Sequence, residues 1–330
     1  MVRKILIIRF SSIGDIVLTT PVMRCLKHLN PKPEIHFLTK KSFAQVVSAN
    51  PNIDRCIFIE REVEEVIPQL KNENYDLIID LHHNIRSLRV KNALKKPSRS
   101  FNKINIRKWM MVNLKINRLP DLHIVDRYLK TVEHLGVVND QKGLDFFIPA
   151  SKEISMQQLP LALQKGYIAL VIGAQHATKR LPYLKLEELC SKINLPIAII
   201  GGPEDVLTGE QLEQIDPGKI VNLCGKFDLF GSASIVKQAR AVITHDTGMM
   251  HIAAAFQQKI ISIWGNTIPE FGMYPYMPGN KENFRIIENK SLGCRPCSKI
   301  GFQQCPKTHF KCMNELKTDV IIEQLNELLH

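Results

Sequence analysis

A chain of 330 residues, 45% hydrophobic and 23% charged, has the length for two domains of about 150 residues each and the makeup of a globular protein with a substantial core. No apolar stretch approaches the roughly 18 residues of a membrane-spanning helix, so none is expected. The net charge of +12 is uneven: residues 1–150 carry 25 Lys/Arg against 15 Asp/Glu, and residues 151–330 carry 19 against 17. The stretch His82–Pro120 holds eleven bases and no acid. Such a block is either a solvated basic face or a surface for an anionic partner: an acidic sugar, a phosphate, an anionic membrane or nucleic acid.

The first element is the apolar run Lys4-Ile-Leu-Ile-Ile-Arg9, a candidate buried parallel strand. It is too short, and too soon interrupted by Asp15, for a signal peptide or a membrane span. Phe10-Ser-Ser-Ile-Gly-Asp15 follows, and a helical pattern then runs from Ile16 to Leu29. Asp15 therefore falls at the carboxyl end of a strand, the edge where open α/β sheets bind ligands. It reads either as a helix cap or as a general base. The turn is neither a dinucleotide fingerprint nor a P-loop, which argues against a dehydrogenase. Further strands are predicted at Glu34–Thr39, Arg55–Glu60 and Tyr75–Leu81. Helices are predicted at Phe43–Ala49, Glu62–Asn72, Ile85–Leu94 and His123–Leu135, the last stopped by Gly136. Val138–Pro160 reads as a linker.

The second half repeats the alternation. Strands are predicted at Tyr167–Gly173, Pro196–Gly201, Lys219–Leu223, Ala241–His245 and Lys259–Trp264. Helices are predicted at Leu184–Ile193, Ser232–Ala239 and Met249–Phe256. The expectation is an α/β protein of two facing doubly wound domains, residues 1–155 and 156–330, each presenting strand carboxyl ends to a shared cleft.

Four turns of the second half carry candidate chemistry. Gly173-Ala-Gln-His-Ala-Thr-Lys-Arg180 puts a cationic pair after a strand, suited to a pyrophosphate or simply exposed on a loop. Ile199-Ile-Gly-Gly-Pro-Glu-Asp205 offers Glu204 to ribose hydroxyls or to a helix dipole. Leu223-Cys-Gly-Lys-Phe-Asp228 offers Phe227 to a base or to the core. Most informative is Asp246-Thr-Gly-Met-Met-His251, where an apolar strand ends in a carboxylate, a hydroxyl and a glycine before a helix begins. Free amides at a helix start favour an anion, and glycine permits close approach. An ordinary capped turn gives the same pattern. No Asp-x-Asp occurs, so Lys179, Arg180 and helix amides, rather than a metal, are the expected neutralisers of a leaving group.

Of eight cysteines, Cys25, Cys56, Cys190 and Cys224 lie in apolar elements and read as core thiols. Cys294, Cys297, Cys305 and Cys312 form a Cys-x2-Cys-x7-Cys-x6-Cys tail. It reads as reduced thiols, a redox pair or one structural zinc. Lys299, Lys307 and Lys311 make a zinc-stapled nucleic-acid module conceivable, but no interleaved aromatics support base stacking.

Taken together, Arg9-Phe-Ser-Ser-Ile-Gly-Asp15-Ile-Val, the Gly173…Lys179-Arg180-Leu-Pro182 loop, Asp246-Thr-Gly-Met-Met-His251 and the cysteine tail resemble the heptosyltransferases of lipopolysaccharide inner-core assembly, glycosyltransferase family 9. Asp80-Leu-His-His-Asn-Ile-Arg86-Ser87 resembles the family's fourth-strand segment. The resemblance implies a GT-B fold and inverting transfer from an ADP-heptose to a Kdo-lipid A type acceptor. It implies no required metal and no nucleic-acid partner, and a cytoplasmic enzyme peripheral to the inner membrane. Asp15 would be the catalytic base, with Ser12, Gly14, Asn84 and Arg86 toward the acceptor. Thr178, Lys179, Arg180, Glu204, Phe227, Asp246, Thr247, Gly248 and His251 would line the donor. The helix Thr318–Leu329 would close the chain, returning toward the first domain. A same-fold enzyme for another nucleotide-sugar or another cell-surface glycan remains the alternative, since Arg180 and Leu181 stand where subfamilies vary.

Overall fold

The computed structural model describes residues 2–330. Eleven strands form two parallel sheets. The first contains β1 (Lys4–Ile8), β2 (Glu34–Lys40), β3 (Arg55–Ile59), β4 (Leu77–Asp80) and β5 (Ser98–Ser100), in the order β3-β2-β1-β4-β5. The second contains β6 (Ile168–Val171), β7 (Ile197–Ile200), β8 (Ile220–Asn222), β9 (Ala241–His245), β10 (Ile260–Trp264) and β11 (Phe284–Glu288), in the order β11-β10-β9-β6-β7-β8. The central strands of the second sheet are buried along their whole length, as parallel strands covered on both faces must be. Sequence order reverses between β1 and β4 in one sheet and between β6 and β9 in the other. At such a switch the two flanking crossovers leave to opposite faces and open a crevice at the strand carboxyl ends.

The helices are α1 (Ile13–Val17), α2 (Thr20–Leu26), α3 (Ala44–Val47), α4 (Ile67–Asn72), α5 (Ile85–Leu94), α6 (Asn105–Trp109) and α7 (Ile124–Leu129). They continue as α8 (Tyr183–Lys192), α9 (Val206–Glu213), α10 (Leu229–Gln238), α11 (Gly248–Ala255), α12 (Lys311–Asn314) and α13 (Thr318–Leu329). The single helix expected from Ile16 to Leu29 is two. Thr19 and Thr20 hydroxyls bond back to the carbonyls of Ile16 and Val17, and Pro21 brings no amide to continue the ladder. Two edge strands escape the sequence reading. Ser98–Ser100 has no apolar residue, and β11 follows a stretch with only two short 3-10 turns, Pro269–Phe271 and Lys281–Asn283, in place of an α-helix.

The chain divides into two units. One runs to Ile104 and resumes over Leu122–Phe147; the other comprises Asn105–Asp121 and Ile148–His330. The sequence reading placed the division at residues 155 and 156. Arg24 instead binds Asp140 through two nitrogens, at 2.7 and 2.9 Å, and also pairs with Asp145, which ties that stretch to the first unit. The Ile154 amide donates to Ser234 Oγ at 2.9 Å, which ties the following stretch to the second. Helix α13 was expected to return toward the first domain. It packs Ile321, Leu325 and Leu328 into the second unit's core beside Leu186 and Leu189 of α8, and Lys192 binds Asp319 at 2.6 Å.

Candidate active site

In the first unit, Asp15 occupies the first turn of α1, directly after β1. Its carboxylate accepts from Ser12 Oγ at 2.9 Å and pairs with the Arg9 guanidinium at 2.7 Å. Arg9 is nearly buried and donates to the carbonyls of Leu81 (2.5 Å) and Ser11 (2.7 Å) and to the Tyr128 hydroxyl (3.1 Å). A rigid cation thus fixes the orientation of a carboxylate that keeps part of its surface open to solvent. Ser12 and Gly14 belong to this same turn. His82, which the sequence reading left without a role, lies edge-on to Phe10 with ring centroids 5.1 Å apart. Burial first, then the charges of Arg9 and Lys103, push its pKa down to about 4, so it is neutral near pH 7.

Across the switch, Asp80 ends β4 and is completely buried. It accepts from the His83 amide at 2.6 Å and from Ser87 Oγ at 2.8 Å, and it pairs with Lys91 at 2.9 Å. Burial alone would raise its pKa; the His83 amide, Lys91 and Ser87 hold it below the usual carboxylate range. Asn84 and Arg86, expected to face the acceptor, have local partners. Asn84 caps α5, accepting from the Ser87 amide at 3.0 Å, and Arg86 extends to within 3.8 Å of Glu62. Asn84 therefore shapes the turn through its Oδ1.

In the second unit, the β6 and β9 turns meet at the switch. Lys179 Nζ lies 2.6 Å from Asp246 Oδ2 and donates to the Asp246 carbonyl at 3.0 Å. The Thr267 hydroxyl donates to the same carboxylate oxygen at 2.9 Å. Thr247 is the extended N-cap of α11, and Gly248 opens the helix, as the sequence pattern predicts. The Thr247 hydroxyl lies 3.4 Å from that of Thr244 and makes no cap to its own helix. The first amides of α11 therefore have no capping side chain from Thr247. His251 is buried one turn further on.

Arg180, expected with Lys179 at the pyrophosphate, has partners within its own unit. It donates to the Ala174 carbonyl and pairs with Asp205 at 3.1 Å, so it braces two turns against each other. Asp205 also accepts from the Gly202 amide at 2.9 Å, and burial raises its pKa. This packing explains the turn glycines. A Cβ at Gly173 would lie 2.4 Å from Asp205 Oδ2, and one at Gly201 would lie 2.7 Å from Asp205 Cβ. The sequence reading chose Glu204, which is exposed, and missed Asp205 beside it. It also missed His245, whose Nε2 accepts from the Leu181 amide at 3.0 Å and so holds the loop that follows Lys179. Burial, then Arg180, depresses the His245 pKa to about 3. Phe227 is half-buried and packs against Gly231 of α10.

Thr178, expected as a nucleotide contact, is only 2% exposed. Its hydroxyl receives the Phe302 amide at 2.8 Å and donates to the Phe302 carbonyl at 3.0 Å. It docks the cysteine tail onto the Lys179 loop. The tail's other anchor is buried Arg295, which pairs with Glu288 at 2.8 Å and donates to the carbonyls of Gly265 and Thr267 at 2.5 and 2.9 Å. Cys294 Sγ lies 3.9 Å from His309 Nε2. Burial, then Cys294, raises the Cys297 thiol to about 11, and burial raises Cys312 to about 12. Among the described residues only Glu34, His36 and Glu73 bring three ligand-type atoms within 4.8 Å of one another. Lys4 already occupies that cluster, 3.2 and 2.9 Å from its two carboxylates. No three of the tail's thiols and His309 come within 4.8 Å of one another among the described residues.

Two Rossmann-like units, each with charged side chains at its switch point, are the architecture of a GT-B glycosyltransferase. The chain belongs to glycosyltransferase family 9 (heptosyltransferase), whose family model matches residues 63–307. It is 25% identical to the lipooligosaccharide heptosyltransferase 2 of Haemophilus influenzae, over 99% of each chain. It is 26% identical to the lipopolysaccharide heptosyltransferase 1 of Campylobacter coli, over 98% of each. Among solved structures, a family 9 glycosyl transferase from Veillonella parvula superposes with a TM-score of 0.78 at 21% identity, covering 99% of this chain and 97% of that one. No helix among the described residues is long and apolar enough to cross a membrane.

Proposed function

We propose that this glycosyltransferase moves heptose, with inversion, from an ADP-heptose to the inner core of a lipopolysaccharide acceptor at the cytoplasmic face of the inner membrane. The observation that carries the donor half is the Lys179–Asp246 pair at the second unit's switch point, beside the start of α11. Lys179 and the α11 amides receive the pyrophosphate, and Asp246 turns toward the sugar hydroxyls once phosphate competes for the ammonium. Thr247 and Gly248 supply backbone to the same anion, while Glu204 and Phe227 stand at neighbouring turns for ribose and base.

Asp15 takes the proton of the acceptor hydroxyl as its oxygen bonds to the anomeric carbon. The bond from that carbon to the pyrophosphate oxygen breaks, and ADP leaves with the electron pair. Fixed cationic and amide donors stabilise that charge, so no metal is required. We read the tail thiols as reduced, with structural zinc as the alternative that metal analysis of the purified protein decides.

The test is calorimetric binding of ADP, UDP, GDP and CMP with and without EDTA, followed by transfer from ADP-heptose. Selective ADP binding that survives EDTA and weakens about 10- to 100-fold in Lys179→Ala is expected, the worth of one charge-assisted contact. Selective binding of a pyrimidine nucleotide would sink the heptose reading.

A further inference from the structure

The segment Asn105–Arg118 belongs to the second unit although it interrupts the first in sequence. It is helical through α6 and then a π-turn, Met110–Leu114. Its large apolar side chains face solvent: Ile106 is 77% exposed, Trp109 53% and Leu114 51%, with Ile116 exposed beyond them. Ile106 and Trp109 lie three residues apart, and the i to i+5 spacing of a π-turn brings Leu114 back beneath Trp109. One side of the segment is therefore an uncovered apolar stripe.

Its charge is of one sign. Arg107, Lys108, Lys115 and Arg118 lie among these residues, and the nearest acid downstream is Asp121. Arg107 and Arg118 have no carboxylate partner among the described residues, whereas Arg86, Arg89 and Lys91 of the same basic block pair with Glu62, Glu64 and Asp80. The segment is also held firmly. Lys115 Nζ donates to the carbonyls of Cys294 and Pro296 at 3.0 and 2.7 Å, and Lys108 Nζ sits 5.6 Å from the Phe271 ring centroid.

We propose that Asn105–Arg118 is an interfacial docking element that lays the second unit on an anionic lipid bilayer. Trp109, Ile106 and Leu114 enter the headgroup boundary, and Arg107 and Arg118 meet lipid phosphates. An apolar stripe with a tryptophan and a cationic flank is what such a surface retains. The inference deepens the lipid-borne acceptor of the proposed function by naming the face that approaches the membrane.

The protein reports on itself here, because its other tryptophan, Trp264, is only 1% exposed. The experiment is flotation and tryptophan emission of the full chain with phosphatidylglycerol vesicles and with phosphatidylcholine vesicles, neither carrying acceptor. A blue shift and flotation are expected with phosphatidylglycerol alone, with the shift absent in Trp109→Phe. Ile106→Ser with Leu114→Ser should lower partitioning about tenfold, and Arg107→Glu with Arg118→Glu should lower it at least as much. ADP binding serves as the folding control for these surface variants. No flotation, or flotation that neither pair of substitutions changes, would overturn the proposal. So would an emission shift that grows with protein concentration without lipid, which would assign the stripe to a second copy of the chain. Lost vesicle binding with intact ADP binding separates failure here from failure of the transfer reading.

Discussion

At the scale of single residues, the first unit is organised around a charge that the sequence shows only as the end of a strand. Arg9 is held by three oxygen acceptors besides Asp15, so it cannot follow Asp15 if the carboxylate moves. A base held in one orientation loses less freedom on reaching the acceptor hydroxyl. Asp15→Asn keeps the shape and removes the proton acceptor. Turnover should fall about 10²- to 10⁴-fold, while ADP affinity stays near normal because the Lys179–Asp246 site is built by the other unit. Single-turnover transfer beside calorimetry checks both halves; a variant that keeps most of its rate removes Asp15 as the base. Asp15, Lys179 and Asp246 are legible in sequence because each follows an apolar strand. Asp205, Arg295 and His245 are not, because their meaning lies in partners such as Arg180, Glu288 and the Leu181 amide, which only the fold brings near.

At the scale of elements, the strands that position the site were the easiest to read, since buried parallel strands are continuous apolar runs. The predicted strand at Ala241–His245 matches β9 residue for residue, and the other central strands differ only at their ends. Helix Ile85–Leu94 also matches its prediction, and the structure shows Asn84 and Ser87 capping it reciprocally. What stayed hidden was the turn packing behind the strand ends. Gly201 illustrates it: sequence gives a flexible turn, whereas the structure gives a contact surface for Asp205 and for Cys224, whose Sγ would lie 2.9 Å from an added Cβ. Gly201→Ala must push Asp205 away and so loosen the Arg180 brace. A loss of about 1–3 kcal/mol is expected, the usual cost of overpacking a tight site, with weaker ADP binding than wild type. Denaturant unfolding and calorimetry on one preparation test this; unchanged stability would mean that the turn yields freely.

At the scale of the whole molecule, both units carry a histidine that the fold keeps neutral. His82 is depressed to about 4 in the first, and His245 to about 3 in the second, with burial the leading cause in each. An unfolded chain binds a proton on each near pH 6.5. Between the unfolded and folded pKa values the unfolded state therefore holds more protons, so stability rises with pH in that window. The contribution is fully present above about pH 6.5 and drains away as the pH falls toward 4 for His82 and toward 3 for His245. For fully buried His245 the loss at pH 5.5 is about 1.4 kcal/mol relative to neutral pH, one pH unit of linkage. His245→Gln retains an acceptor for the Leu181 amide and has nothing to protonate. Wild-type unfolding free energy should decline between pH 7.5 and 5.5, and the decline should be smaller in His245→Gln by about that amount. Equal slopes would show that His245 titrates alike in both states, and its tie to the loop after Lys179 would then be looser than a buried, neutral acceptor requires. Because folded His245 stays neutral down to about pH 3, the loop that carries the lysine proposed to meet the leaving group keeps its tie, and between pH 7.5 and 5.5 calorimetry should show ADP affinity following only the nucleotide's own protonation, in wild type and variant alike.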